Sequence, residues 1–390
     1  MRDTAEVIVV GAGVQGASLA FHLAGRGVSV LVLERETVAA GATGRSSGFV
    51  RMHYDLASDA SLAWASFPYF RDWAGIVGHG DCGFVRTGFL QIMPADLEAN
   101  VRANVAVQQA IGIETGMLTP DEVARLVPGA VVDDVTAAIY EPSSGYADPS
   151  GTAAGFLAAA RARGARVVQD CAATSVVVHG ETVAGVETQR GRFDAPIVVD
   201  VAGAWAAPLA LTVGVEIPVD TWRHDTAYFG LPDGHATDFP IVIDELNEVY
   251  FRPEGGETML VGLEGGNEVG GSPDRPLTSP RPDLVEEMVR RVCARVPWMA
   301  DGTLRTSHGG QDGITPDQHG ILGQAGPDGF YLACGFSGTG FKTAPAVGRC
   351  LTELILDGAA TTVDISGYAP DRFAAGRPLV AEHPYRMLWH

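Results

Sequence analysis

Gly11, Gly13 and Gly16 follow the apolar run Glu6 to Val10 directly, close to the start of the chain. The spacing G-x-G-x-x-G between a strand and a helix permits a tight turn, close approach of backbone to a pyrophosphate, and tight helix–strand packing. A second apolar run from Ser29 ends at Glu34 and Arg35, and Glu34 stands 23 residues after Gly11. An acid at that place accepts hydrogen bonds from the hydroxyls of an adenosine ribose. Strand, glycine turn, helix and strand thus make a βαβ unit for a dinucleotide. The helix-start amides at Val14, Gln15 and Gly16 and their dipole receive the phosphate charge. The acid disfavours a 2′-phosphate and otherwise leaves the dinucleotide open.

Composition removes several other classes. The 390 residues are 46% apolar and 19% charged, enough for packed cores and against intrinsic disorder. A net charge of -20 repels phosphate backbones and anionic lipid, which argues against nucleic-acid and membrane-surface roles. The stretch Val7 to Leu33 is interrupted by glycines, His22 and Arg26, so it reads as βαβ and not as a membrane span. Five cysteines (Cys82, Cys171, Cys293, Cys334, Cys350) form no C-x-x-C pair. That pattern, with no basic region before the first apolar run, predicts a cytoplasmic protein without a signal peptide or disulfide framework.

Farther along, Gly41 to Tyr54 is small and polar and reads as a loop. A helix is expected over Ala95–Gly112 and another from Asp148–Pro149 to Gly164. Strands follow near Val167, Val176 and Val183, and Ile197–Trp205 is a strand with a small-residue turn. Alternating strands fill Glu216 to Leu263. A proline-rich linker, 272–282, leads to a helix over Asp283–Arg295, and a strand, glycine turn and helix close the chain. Doubly wound pieces alternate with antiparallel-looking inserts. The expected fold class is therefore α/β with α+β inserts. One discontinuous domain is expected over 1–85, 146–215 and 305–390, interleaved with a second over 86–145 and 216–304.

Two further motifs carry chemistry. The loop GATGRSSG, with Arg45, Ser46 and Ser47, follows Glu34 on the side where the strands' carboxyl ends bind ligands; a plain surface connection is the alternative. Arg51 closes this loop, and His53 and Tyr54 read as packed residues. Gly335–Lys342, GFSGTGFK, makes a second glycine turn before a helix. Its cation opposes the helix dipole, yet Lys342 is the only lysine beside 26 arginines. A resident anion would remove that conflict, whereas a solvated lysine would need none.

Together, GAGVQG with Glu34, GATGRSSGFVRMHY, YADPSG, VAGAW, YFRPEGG, TPDQHGILG and GFSGTGFK resemble the FAD-dependent D-amino-acid oxidase and glycine oxidase superfamily. The set is most similar to sarcosine oxidases, especially the flavin-bearing beta subunit, and to dimethylglycine dehydrogenase-like proteins. The resemblance implies FAD on a Rossmann-like domain, with an antiparallel sheet roofing the flavin ring. It implies hydride transfer from a secondary or tertiary amino acid, with the substrate carboxylate held between Arg51 and Lys342. Tyr250 and Arg252 join them as substrate residues, with Lys342, Arg51 and Tyr250 at the reacting centre. Cofactor contacts are expected from Gly11, Gly13, Val14, Gln15, Gly16, Glu34, Arg35, Arg45, Ser46, Ser47, Gly203, Trp205, Gly335, Gly338, Thr339, Gly340 and Lys342.

Three departures shape the expectations. No cysteine lies near Gly310 and no histidine in GATGRSS, so FAD is expected to be non-covalent. Leu260 stands near the place of the lysine that promotes reaction with dioxygen in the sarcosine oxidases. Dioxygen or a separate electron acceptor therefore stays open, with Arg252, His308 or His319 as possible substitutes. Thr339 replaces a frequent histidine. The chain's end at His390 predicts no folate-binding extension. No obvious base stands out, as suits an amine that binds neutral. The alternatives are a flavin-dependent 2-hydroxy-acid dehydrogenase, a flavin-bearing subunit active only in a multi-protein complex, and an idle FAD-binding protein. A homo-oligomer or hetero-complex is compatible with the residues, as is no metal.

Overall fold

The computed structural model describes residues 3–235, 238–277 and 281–385; within the proline-rich linker, 278–280 lie outside them, as does His390. Its centre is a six-stranded sheet in the order 166–168, 30–33, 7–10, 197–200, 330–334, 321–324. The first five strands run parallel and the last pairs antiparallel. Three distant stretches of sequence therefore meet in one layer, the mixed α/β architecture expected from the scattered pieces.

Both faces of this sheet are buried, so its strands are uniformly apolar. Val7, Val9, Val30, Val32 and Val199 point into one core, and Ile8, Val10, Leu31, Leu33 and Val198 into the other. Each such side chain contributes about 1.5–3 kcal/mol by leaving water. Helices Val14–Gly25, Pro149–Ala162 and Gly340–Asp357 cover the first face. Gly348 lets the first and last of these approach, since a Cβ there would stand 2.4 Å from Ser18 Oγ.

The second large layer has eight strands, ordered 303–314, 220–230, 258–263, 249–253, 241–244, 89–93, 137–141, 116–117. All neighbours are antiparallel except 241–244 beside 89–93. A four-stranded sheet (3–4, 191–194, 182–188, 173–179) and a three-stranded one (49–50, 145–146, 85–86) complete the layers.

The expected helices lie at Glu98–Ile111, Pro149–Ala162 and Pro282–Arg295. Left-handed Gly112 ends the first, and Asp148 caps the second by accepting from the Ser150 amide. Four helices went unread, two of them the short Trp73–Ile76 and Ala206–Leu211. Ala57–Arg71 buries one side, Ala60, Leu62, Ala63, Phe67, Tyr69 and Phe70, but that side also carries Asp59 and Ser66 while Ala57, Trp64 and Ala65 lie on the other, so the apolar pattern shows no one-sided period. Pro120–Leu126 is short, although the Thr119–Glu122 capping box announces it. The loop Gly41–Tyr54 contains one helical turn, Thr43–Arg45, and the short strand Phe49–Val50. Among the described residues no helix is long and apolar enough to cross a membrane.

Candidate functional site: a cavity between two glycine turns

A cavity of about 690 Å³ is lined by the carboxyl ends of the central strands, both glycine turns and the large antiparallel sheet. This is the crevice where open α/β sheets hold their ligands. Gly11 has φ +114°, and a Cβ there would lie 2.7 Å from the Val201 carbonyl oxygen. A Cβ at Gly16 would lie 2.0 Å from the Gly11 oxygen, so the turn admits only glycine at both places. Gly13 caps the first helix without a side chain, and no acid occupies its first turn. The positive end of that helix thus faces the cavity through Gly13, Val14 and Gln15.

Beyond this turn lies a polar end. Glu34 accepts from the amides of Ala12 and Glu36, at 2.8 Å each, which fixes its carboxylate on the cavity wall. Arg35 stacks 4.1 Å over the Trp205 ring, and both donate to Asp274. Asp274 and its neighbours Pro273 and Arg275 line the cavity unforeseen, because they come from a loop that carries no motif. Thr43, also missed, receives the Val14 amide on its hydroxyl at 3.0 Å. Arg45, Ser46 and Ser47 line the cavity as expected, and Arg45 donates to the Gly309 carbonyl. Gly203 lines it in a left-handed turn, φ +58°.

The second turn is more occupied than its glycines suggest. The Gly338 amide donates to Asp312 Oδ2, that of Ser337 to the Gly313 carbonyl, and that of Thr339 to Phe336. Ser337 itself takes φ +50°, a strained value for a residue with a side chain. The amides left without partners in their own helix are those of its first turn, Gly340 to Lys342. Gly335 and Thr339 support the turn without lining the cavity; the Thr339 hydroxyl donates to Phe336. Asp312, which had no sequence signal, lines the cavity, and burial pushes its carboxyl up while Lys342 pulls it down.

At this end the side chains converge. Arg51 lies 4.3 Å over the Tyr54 ring and donates to the His53 carbonyl. The Lys342 ammonium lies 5.7 Å over the same ring, with its Nζ 3.3 Å from the Gly338 carbonyl. Both cations are buried on the cavity wall. Burial, followed by the charge of Arg51, holds the Lys342 amine well below its usual value. Tyr250 lines the same wall, and its ring fits because the facing residue is Gly262, where a Cβ would meet Tyr250 Cζ at 2.1 Å. Burial raises its hydroxyl to about 12. Thr226, His224 and Glu264 complete this part, all three missed in the sequence because strand residues give no local signal.

Other expected residues sit elsewhere. Arg252 is not among those lining the cavity: it donates to the Ser47 carbonyl, pairs with Glu254 and stacks over Tyr146. His319 is buried against Asp59 at 2.7 Å, and His308 faces Tyr228. His53 packs between Gln108 and Tyr385, and burial lowers its ring to about 3.

Residues 6–354 match the family model DAO, FAD dependent oxidoreductase. The chain belongs to this family. Mitochondrial sarcosine dehydrogenase of Mus musculus is 30% identical over 372 residues, covering 92% of this chain and 40% of that protein. The chain thus spans about two fifths of the length of the sarcosine dehydrogenases it matches. Sarcosine oxidase subunit beta of Arthrobacter sp is 25% identical over 100% of this chain and 96% of its own. Among solved structures, L-proline dehydrogenase from P. horikoshii superposes with a TM-score of 0.90 at 26% identity, covering 97% of this chain and 100% of the other.

FAD is the cofactor of the family, and the residues fit it. Glycines clear the backbone at the first turn, the Glu34 carboxylate lines the cavity beside it, and a helix start without a side-chain cap or acidic residues opens on the same space. Gln15 Oε1, buried beside that helix start, has no hydrogen-bond partner among the described residues, as befits a site completed by a ligand.

Proposed function

We propose that the protein oxidises a small secondary or tertiary amino acid, N-methylated or cyclic, at the carbon next to nitrogen, giving an imine that hydrolyses. The observation that carries this reading is the pair Arg51 and Lys342, buried over one Tyr54 ring on the wall of the cavity that the glycine turns also line. A substrate carboxylate set between these two side chains accepts charge-assisted hydrogen bonds from both, which fixes its position.

In this reading Gly11 to Gln15 and Glu34 hold FAD by its phosphates and ribose, and FAD supplies the acceptor for the hydride. Arg51 and Lys342 fix the carboxylate, which sets the adjacent carbon at one place and one angle. Tyr250, rigid above Gly262, limits how the rest of the substrate lies and keeps water from that side. The binding role assigned to Arg252 is not part of this proposal, because its guanidinium is engaged outside the cavity. The domain division proposed is that expected above, with strand 303–314 adding its backbone to the antiparallel sheet.

Purified protein should be mixed anaerobically with amino acids and with 2-hydroxy acids while flavin absorbance is followed. Bleaching by N-methyl or cyclic amino acids, with release of an alkylamine or ring-opened product, is the expected result. Bleaching by hydroxy acids alone would replace the reading.

A second reading concerns assembly. The likeness to sarcosine oxidase subunit beta covers this whole chain, which supports a flavin-bearing subunit whose electrons leave through a partner. Reduction by substrate with turnover only on adding a dye or partner supports it; fast reoxidation by dioxygen removes it.

A further inference from the structure

Glu264 directly follows the strand Thr258–Leu263 and lies on the cavity wall, together with Tyr250, Arg51 and Lys342, yet its side chain is buried. Carboxylates are rarely buried at the floor of a pocket whose other charges already bind an anion. Glu245 lies behind it, just past the neighbouring strand Ile241–Asp244, with Gln91 donating to its Oε1 at 2.5 Å. Arg51 and Lys342 thus share one part of the cavity with the acid Glu264, a mixed polarity better suited to a zwitterion than to a plain carboxylate.

We propose that Glu264 is the residue that meets the substrate's nitrogen, selecting an ammonium-bearing carboxylate and giving up one proton to solvent from the pair as it binds. This rests on the carboxylate role given above to Arg51 and Lys342. The groups that face Glu264 are Glu245 and Asp244, Glu248 from the following turn, Tyr250 from the paired strand and Arg51 from the loop after Phe49–Val50. Burial first, then Glu245 and Asp244, push its carboxyl well above the usual range, while Arg51 opposes them. Burial likewise raises Glu245 to about 8. The acid therefore holds its proton to higher pH than an exposed carboxyl does, with the charge of Arg51 opposing it. A cationic nitrogen arriving beside it favours the carboxylate. The proton of Glu264 then leaves to solvent, or the ammonium gives up its own and the amine lies against the neutral acid. Either arrangement releases one proton, and the second leaves the nitrogen lone pair free to form the C=N bond as the hydride departs.

The test uses two isosteric ligands that cannot be oxidised, N,N,N-trimethylglycine and 3,3-dimethylbutanoate, which differ only in a positive nitrogen against a neutral carbon. Calorimetry of the FAD-loaded protein in buffers of different ionisation enthalpy gives the protons exchanged. Any proton that Lys342 exchanges is common to the two carboxylates, so the difference between ligands isolates Glu264. About one more proton should be released with trimethylglycine, its preference over the isostere should rise about tenfold per pH unit across the interval in which that proton is released, and Glu264→Gln should abolish both effects. Equal binding and equal proton exchange for the two ligands would overturn the role of Glu264 while leaving the carboxylate site intact. Failure of both ligands to bind would overturn the carboxylate site and this inference with it. Persistence of the difference in Glu264→Gln would overturn Glu264 alone.

Discussion

The side-chain amide of Gln15 donates a 2.7 Å hydrogen bond to the carbonyl of Gly340, joining two helix starts that lie 325 residues apart. Each helix brings an uncapped N-terminus to the same cavity, and this bond fixes their separation. Replacing Gln15 by Leu keeps the volume roughly and removes the bond. Affinity for FAD should fall about 3- to 10-fold, the worth of one buried hydrogen bond. Titration of the apoprotein with FAD measures it, and unchanged affinity would show that the two turns are held apart by other contacts.

Glu34 acts before any ligand arrives, because it anchors the amides of Ala12 and Glu36. Glu34→Ala should therefore lower apoprotein stability by about 1–2 kcal/mol and weaken FAD by a further factor of roughly ten or more. Denaturant unfolding of the apoprotein and FAD titration separate the two effects. A loss of stability without weaker FAD would deny Glu34 its ribose.

Asp200 is buried at the end of the central strand, where burial raises its carboxyl from 3.8 to about 8 against one opposing bond from the Ala202 amide. A raised acid binds its proton more tightly folded than unfolded. Its contribution is complete below about pH 4, declines as pH rises through that interval, and is fully lost above about 8. Asp200→Asn keeps the acceptor for Ala202 and cannot ionise. Its melting temperature should exceed the wild-type value by a margin that widens from pH 5 to pH 8 and then stays constant. A margin independent of pH would contradict the assignment.

What could be read in advance follows from how far each signal reaches along the chain. The first turn was legible because strand, glycine spacing and acid all fall between Val7 and Glu34, and Gly11 and Gly16 are demanded by close backbone contacts. Lys342 was legible as a cation against a helix dipole in a chain without other lysines. Asp312 and Glu264 were not, since one lies in a long strand and the other just past a strand end, and only the fold brings them to the cavity. Arg252 misled for the reverse reason: it follows Tyr250 by two residues, but its guanidinium is drawn off by Glu254, Ser47 and the Tyr146 ring.

The claim at the centre is that Arg51 and Lys342 hold a carboxylate beside FAD. Stopped-flow reduction under anaerobic conditions, comparing N-methylglycine with its uncharged amide in wild type and Lys342→Met, addresses it most directly. The wild type should be bleached at least about 100-fold more efficiently by the acid, and Lys342→Met should lose most of that preference, as expected for a buried charge-assisted pair. Equal bleaching by acid and amide, or a preference untouched by Lys342→Met, would contradict the account.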